Sequence, residues 1–253
     1  MRSRPLEEVR VLVTRPKAQT AGLAAAIADL GGIPLVFPTL EIEPVEPPAG
    51  LDVVPDLLIF TSANAVAHGR AHVRHGPRTR FAAVGRATAA AMRAAGLPEP
   101  LVPPGEASSE GLLADPRLEL PAGARACLVR GVGGRDLLPT ALRDRGLEVE
   151  ILEVYRRKVP DYTAEQVGGL ESRWRNRGID VITATSVETL ANLHALLSAD
   201  GRELFAATPL IAVSDRIAAA ARELGHRGDC GIAKTPADED VAGAILDWHR
   251  TRR

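Results

Sequence analysis

Cysteine is nearly absent from this 253-residue chain, which has two, and tyrosine is as scarce. Cys127 falls in an apolar, strand-like run and Cys230 in a late loop, with no pairing or ligand spacing around either. Both are therefore expected to be unpaired thiols, with neither disulfide nor metal chemistry. The six histidines have no spacing suited to a metal, so no metal site is expected. Net charge is also missing, at a formal -1. A near-neutral chain does not hold nucleic acid by bulk charge, although local basic patches can still take small polyanions. No apolar run approaches membrane-spanning length, and the residues from Met1 to Glu8 lack the apolar centre of a signal peptide. No membrane association and a cytoplasmic location are expected.

What the chain does have is an internal duplication. Asp56-Leu-Leu-Ile-Phe-Thr-Ser62 returns as Asp180-Val-Ile-Thr-Ala-Thr-Ser186, and Phe81-Ala-Ala-Val-Gly85 returns as Leu210-Ile-Ala-Val-Ser214. Val9-Arg-Val-Leu-Val-Thr14-Arg15 is echoed by Ala124-Arg-Ala-Cys-Leu-Val-Arg130, and Ser108-Ser-Glu-Gly-Leu-Leu113 by Ala237-Asp-Glu-Asp-Val-Ala242. A period of well over a hundred residues is too long for a solenoid unit, so two related domains are expected.

Short β-branched runs alternate with Ala/Leu-rich helical stretches, the pattern of parallel strands covered on both faces. The fold class is α/β, with each of two related domains a parallel sheet flanked by helices and a two-stranded linker joining them. Strands are expected at 10–14, 33–38, 57–61, 81–84, 101–102, 126–130, 148–155, 181–184 and 210–213. Helices include 19–30, 63–75, 86–95, 137–145, 187–197, 216–224 and 240–250. Gly31, Gly76, Gly96, Gly146 and Gly225 sit where left-handed C-caps fall. The proline-bounded, charged stretches 37–48 and 154–160 occupy equivalent places in the two copies and read as linkers, not core strands. If both cross between domains, the first strand-helix unit of each copy packs with the remainder of the other. The symmetry alone fits crossed and tandem arrangements equally.

In doubly wound sheets, chemistry lies beyond the C-terminal strand ends. There the chain places Thr14 and Arg15, Thr61 and Ser62, 85–88 including Thr88, Arg130 to Arg135, Thr185 and Ser186, and Ser214. Each hydroxyl alone is first a helix cap; together with helix N-termini they suit carboxylates or phosphates. Arg130-Gly-Val-Gly-Gly-Arg135-Asp136 looks like a phosphate loop, but Asp136 replaces the last glycine of the dinucleotide fingerprint and no Gly-Lys-Ser/Thr ending follows. No Gly-x-Ser-x-Gly elbow surrounds Ser62 or Ser186, and paired carboxylates at strand ends are absent. Tyr155, ahead of Arg156-Arg157-Lys158, reads equally as a packing residue and as a phenol serving the cleft.

Val11-Leu-Val-Thr-Arg-Pro16, Phe60-Thr-Ser-Ala-Asn-Ala-Val66, Ala83-Val-Gly-Arg-Ala-Thr88, Ser108-Ser-Glu-Gly-Leu112, Arg130-Gly-Val-Gly-Gly-Arg135 and Val154-Tyr-Arg-Arg157 occur in order. Thr185-Ser186, Asn192-Leu193 and Ala212-Val-Ser-Asp-Arg-Ile217 follow. In that order and spacing the chain resembles the uroporphyrinogen-III synthase family over residues 9–248. The resemblance implies a cofactor-free enzyme that cyclises hydroxymethylbilane with loss of water and inversion of its last pyrrole ring. It implies the crossed architecture: residues 1–37 with 159–253 as one domain, 38–158 as the other, linker strands near 38–46 and 152–158, and a cleft between the domains. It makes Tyr155 the residue assisting departure of the hydroxyl, matches Thr88 to a cleft threonine and Ser62 and Ser186 to strand-end hydroxyls, and places Ser214 where some members carry threonine; with Thr14, Arg15, Arg130 and Arg135, which the strand-end pattern contributes, these are the residues expected to bind substrate. A monomer is expected, with the upstream bilane-forming enzyme as a candidate partner. Two other classes fit the bare pattern: a two-domain small-anion binding protein without catalysis, and a nucleotide-dependent transferase.

Overall fold

The computed structural model describes residues 4–47, 54–105 and 108–252. Pro48, the outer end of the first linker, lies outside the described residues, as do Met1 to Ser3 and Arg253. In chain order the elements begin β1 (Arg10–Val13), α1 (Thr20–Asp29), β2 (Ile33–Val36), β3 (Glu41–Pro44), β4 (Leu57–Phe60), α2 (Ala63–Gly69), β5 (Arg80–Ala83) and α3 (Arg86–Ala94). They continue with α4 (Ser109–Leu113), β6 (Arg125–Gly131), α5 (Leu137–Asp144), β7 (Glu148–Lys158), α6 (Ala164–Arg175) and β8 (Val181–Ala184). Last come α7 (Val187–Leu196), α8 (Ala199–Ala207), β9 (Leu210–Ala212), α9 (Asp215–Glu223), β10 (Cys230–Ile232) and α10 (Asp238–Arg250).

The chain forms two compact units, Met1–Glu41 with Lys158–Arg253, and Ile42–Arg157. The first unit is built on a parallel sheet of order β10-β9-β8-β1-β2. Val11 pairs with Val181 and Leu12 with Ile182. Its inner strands β1, β8 and β9 are buried on both faces. Leu12, Ile182, Leu210 and Ala212 pack towards Leu190, Leu193, Phe205 and Ile217, while Val11, Val13, Val181 and Ile211 pack towards Leu23, Ile27, Val241 and Ile245. Removing such a side chain from water contributes about 1.5–3 kcal/mol. That explains why the strands read as unbroken apolar runs.

The second unit has order β3-β7-β6-β4-β5, in which Leu58 pairs with Cys127 and Leu57 with Ala126. Leu58, Phe60, Phe81, Cys127 and Val129 share one core with Ala65, Val66, Ala89 and Met92. Leu57, Ile59, Ala82 and Leu128 share the other with Leu112, Leu138 and Leu142. In each unit the two central strands send their chains to opposite sides, β1/β8 in one and β6/β4 in the other, so each sheet has a switch point.

Several expectations are corrected. The linker strands expected near 38–46 and 152–158 are present as β3 and the end of β7, but Val154 and Tyr155, read as linker and not core, belong to the core. β3 forms the edge strand beside β7, the Val45 N–H donates to Val154 O at 3.0 Å, and Val154 and Tyr155 are buried. Charged residues alternate with β-branched ones in this ribbon, and cross-strand pairing of Glu43 with Arg156 and Glu41 with Lys158 satisfies them. Cys230 lies in β10, not in a loop; a three-residue edge strand containing Gly231 carries little apolar signal. The expected helix 63–75 stops at Gly69, followed by a 3₁₀ turn through His72. Gly76 is therefore no helix cap; its N–H is taken by Thr79 Oγ1 at 3.0 Å. Gly31, Gly96, Gly146 and Gly225 do close helices, with φ between +74° and +90°. The expected strand at 101–102 amounts to one bridge, Ala82 to Leu101.

Candidate active site

β4, β5, β8 and β9 each pass into a helix through two residues, the second of them an extended N-cap: Ser62, Gly85, Ser186 and Ser214, with φ between -168° and -152°. Ser62 Oγ accepts the Ala65 N–H and Ser186 Oγ accepts the Thr189 N–H, both at 3.0 Å. Ser214 makes no capping bond with its side chain, and Gly85 has none to offer. The first turns of α3 and α9 are therefore not side-chain capped at that residue, and exposed N–H groups at helix starts attract anions. Thr88 is buried in the first turn of α3.

At the switch point of the first unit, Thr14 is fully buried and its hydroxyl donates to Thr183 O at 2.8 Å, tying β1 to β8. Arg15 follows it, buried, and pairs with Asp238 at the start of α10 while donating to Pro236 O at 2.6 Å. Gly22 makes this approach possible, since a Cβ there would collide with Asp238 Oδ2.

At the other switch point, Arg130 is buried and gathers its own loop. It donates to Gly134 O at 3.0 Å, Arg135 O at 3.2 Å, Asp136 Oδ1 at 3.0 Å and Glu153 Oε1 at 3.2 Å. The loop that looks like a phosphate loop is thus folded around an internal cation, whose contacts keep it in shape. Arg135 is exposed and reaches Glu110 Oε1 at 2.5 Å.

Tyr155 belongs to the core of the second unit, 6% exposed, and its Oη lies 3.0 Å from Ser62 Oγ. The His68 ring is its tilted neighbour, with centroids 6.1 Å apart. Within this unit the fold brings Ser62 and Arg130 to the ends of β4 and β6, with Tyr155 of β7 facing the last residue of β6. Within the other it brings Thr14, Arg15, Ser186 and Ser214 to the ends of β1, β8 and β9. The partners Asp238 and Glu153 carry no signal in the sequence. Arg15 and Asp238 are 223 positions apart, and no local spacing signals such a pair.

The thiols are poor nucleophiles. Burial, helped by Glu150, pushes Cys127 up to about 12, and burial raises Cys230 as well. Among the described residues, no three His, Cys, Asp or Glu side chains form a group able to hold a metal ion.

Two open, mostly parallel sheets of one winding order, with polar residues and helix starts at their C-terminal strand ends, define a two-unit, doubly wound α/β protein. Its relatives are consistent in name. The family model described as uroporphyrinogen-III synthase HemD matches residues 21–242. The uroporphyrinogen-III synthase of Salmonella typhimurium is 34% identical over 91% of this chain and 97% of its own, as is that of Escherichia coli. A crystal structure of a mutant uroporphyrinogen III synthase from the extremely thermophilic bacterium Thermus thermophilus has a TM-score of 0.61 at 25% identity, covering 97% of this chain and 100% of its own. The Helicobacter pylori uroporphyrinogen-III synthetase shares the fold, with a TM-score of 0.56 at 17% identity over 95% of this chain and 99% of its own. The chain belongs to the uroporphyrinogen-III synthase family.

Proposed function

We propose that this enzyme cyclises hydroxymethylbilane to uroporphyrinogen III, losing water and inverting the last pyrrole ring. The observation that carries the reading is 34% identity to named synthases across 97% of their length. A binding protein without catalysis is not favoured by that match.

The substrate ionises by losing its hydroxymethyl oxygen as water, which leaves an azafulvene electrophile. Attack by the substituted carbon of the far ring gives a spiro intermediate that reopens and closes inverted. Spontaneous closure is expected to give the uninverted isomer, so the protein's task is to fold the bilane and favour one point of attack. In our reading Tyr155 donates a proton to the departing oxygen. Support comes from its place opposite Gly131, where β6 ends, and from a phenol oxygen whose hydrogen-bond neighbour is another hydroxyl.

Substrate carboxylates are met by the helix N–H groups beside Thr88, Ser186 and Ser214 and by the exposed Arg135, while Thr14 serves by tying β1 to β8. Arg15 and Arg130 serve binding through the loops they hold. The chemistry needs no cofactor. No described helix is long and apolar enough to cross a membrane. We place the reaction in the cytoplasm, on a monomer that takes its substrate from the bilane-forming enzyme before it. Incubation with hydroxymethylbilane, scoring type III against type I product, tests the function; type I alone, at the spontaneous rate, would remove it.

A further inference from the structure

β6 and β7 pair in even register from Arg125 with Glu148 to Arg130 with Glu153, and then the register slips so that Gly131 faces Tyr155. One extra residue on β7 is a β-bulge, and beyond a bulge the alternation of faces is reversed. Val154 and Tyr155 therefore enter the same core, although neighbouring strand residues ordinarily point to opposite faces. Two glycines make room for this. A Cβ at Gly131 would lie 2.6 Å from Tyr155 Cζ, and a Cβ at Gly69 would collide with Val129 Cγ1, so α2 lies close against the sheet. The helix thus presents Ser62, its N-terminal cap, 3.0 Å from the phenol oxygen.

A serine hydroxyl has one proton and two lone pairs. One lone pair of Ser62 Oγ is taken by the Ala65 N–H. Its proton is free for Tyr155 Oη, and the phenol then keeps its own proton for a third partner.

We propose that Ser62 is a positioning residue for Tyr155: it donates to the phenol oxygen, so that the phenol offers its O–H, not a lone pair, to the leaving hydroxyl of the substrate. This rests on the reading of Tyr155 as proton donor. As the proton moves from Tyr155 Oη to the leaving oxygen, the C–O bond breaks with its electron pair going to that oxygen, which departs as water. The pyrrole nitrogen lone pair supplies the emptied carbon. The phenolate left behind still accepts the Ser62 proton in a hydrogen bond, now stronger because the acceptor is charged. The proton later shed as the closing ring regains aromaticity restores the phenol.

The test compares wild type, Ser62→Ala, Tyr155→Phe and the double variant, measuring kcat and KM for hydroxymethylbilane together with melting temperature. Ser62→Ala is expected to lower kcat about tenfold or more, the loss typical of one hydrogen bond to a charged group, with KM little changed. In the Tyr155→Phe background the same replacement is expected to cost less than about twofold, because its effect passes through the phenol. The melting temperature should fall in both backgrounds, since both lose the cap. Ser62→Thr, which keeps cap and donor, is expected to recover most of the rate. Should Ser62→Ala fold poorly, Ser62→Asp keeps the cap yet has no proton to give, and the same comparison is read from its kcat. Equal losses in both backgrounds, or an undiminished kcat, would overturn the role while leaving the function standing. Absence of type III product from the wild type would sink the function, and this role with it.

Discussion

Arg15 shows how a cation at a strand end can be turned inward to the protein itself. Its side chain is 7% exposed and that of Asp238 33%, so removing the guanidinium leaves a half-buried carboxylate without its partner and a space where the buried side chain lay. Arg15→Ala is expected to destabilise the fold by about 1–3 kcal/mol in urea titration. A raised KM at unchanged stability would instead make it a direct substrate ligand. Tyr155→Phe belongs at the same scale: a lost proton donor is worth on the order of a hundredfold in kcat, with the fold intact and KM nearly unchanged. An undiminished kcat would leave Tyr155 a packing residue. His226 contributes to the pH dependence of stability. It is buried, its Nε2–H donates to Thr208 O at 2.8 Å, and burial holds it below its ordinary 6.5. The unfolded chain takes up its proton first, so this contribution is full above 6.5 and is lost as pH falls through the lower folded value. Burial lowers His194 in the same sense. Melting temperature should fall as pH drops below about 6.5, and His226→Gln should flatten that slope. Strand-end hydroxyls such as Ser62 and Ser186 were legible in the sequence because they precede helical runs. The hydrogen bond between Ser62 and Tyr155 was not, because it depends on register.

Gly69 and Gly131 work at the scale of elements. Both stand where a methyl group would meet a neighbour below contact distance, one between α2 and β6 and the other beneath the Tyr155 ring. Gly69→Ala should lift α2 and cost about 1–3 kcal/mol, read as a lower denaturation midpoint. Gly131→Ala should lower kcat more than stability, because the loop that follows can shift while the ring is displaced; the reverse order would make Gly131 purely structural. The apolar strands and four of the glycine-closed helices could be read directly, since burial on both faces leaves β-branched runs and left-handed caps leave glycine. β3 and β10 could not. Both are short edge strands whose hydrogen bonds come from distant segments, and charge or glycine masks their period.

At the scale of the whole molecule, one unit is a single continuous stretch and the other is completed from both ends of the chain. The continuous unit, Ile42–Arg157, has its own two cores and its own switch point, so a fragment spanning it should melt cooperatively by circular dichroism. A fragment without a cooperative transition would show that its stability depends on the rest of the chain. The discontinuous sheet has a consequence in time. β1 and β2 leave the ribosome early, but their neighbour β8 begins only at Val181. At 5–20 residues per second, roughly 7–30 s of synthesis separate Val36 from Val181. For that interval the nascent β1-α1-β2 segment has no sheet to join, and Val11, Leu12 and Val13 remain unpaired on the β8 side. Nascent chains halted before Val181 should therefore be held by chaperones that recognise apolar segments, and released once α10 has emerged to cover them.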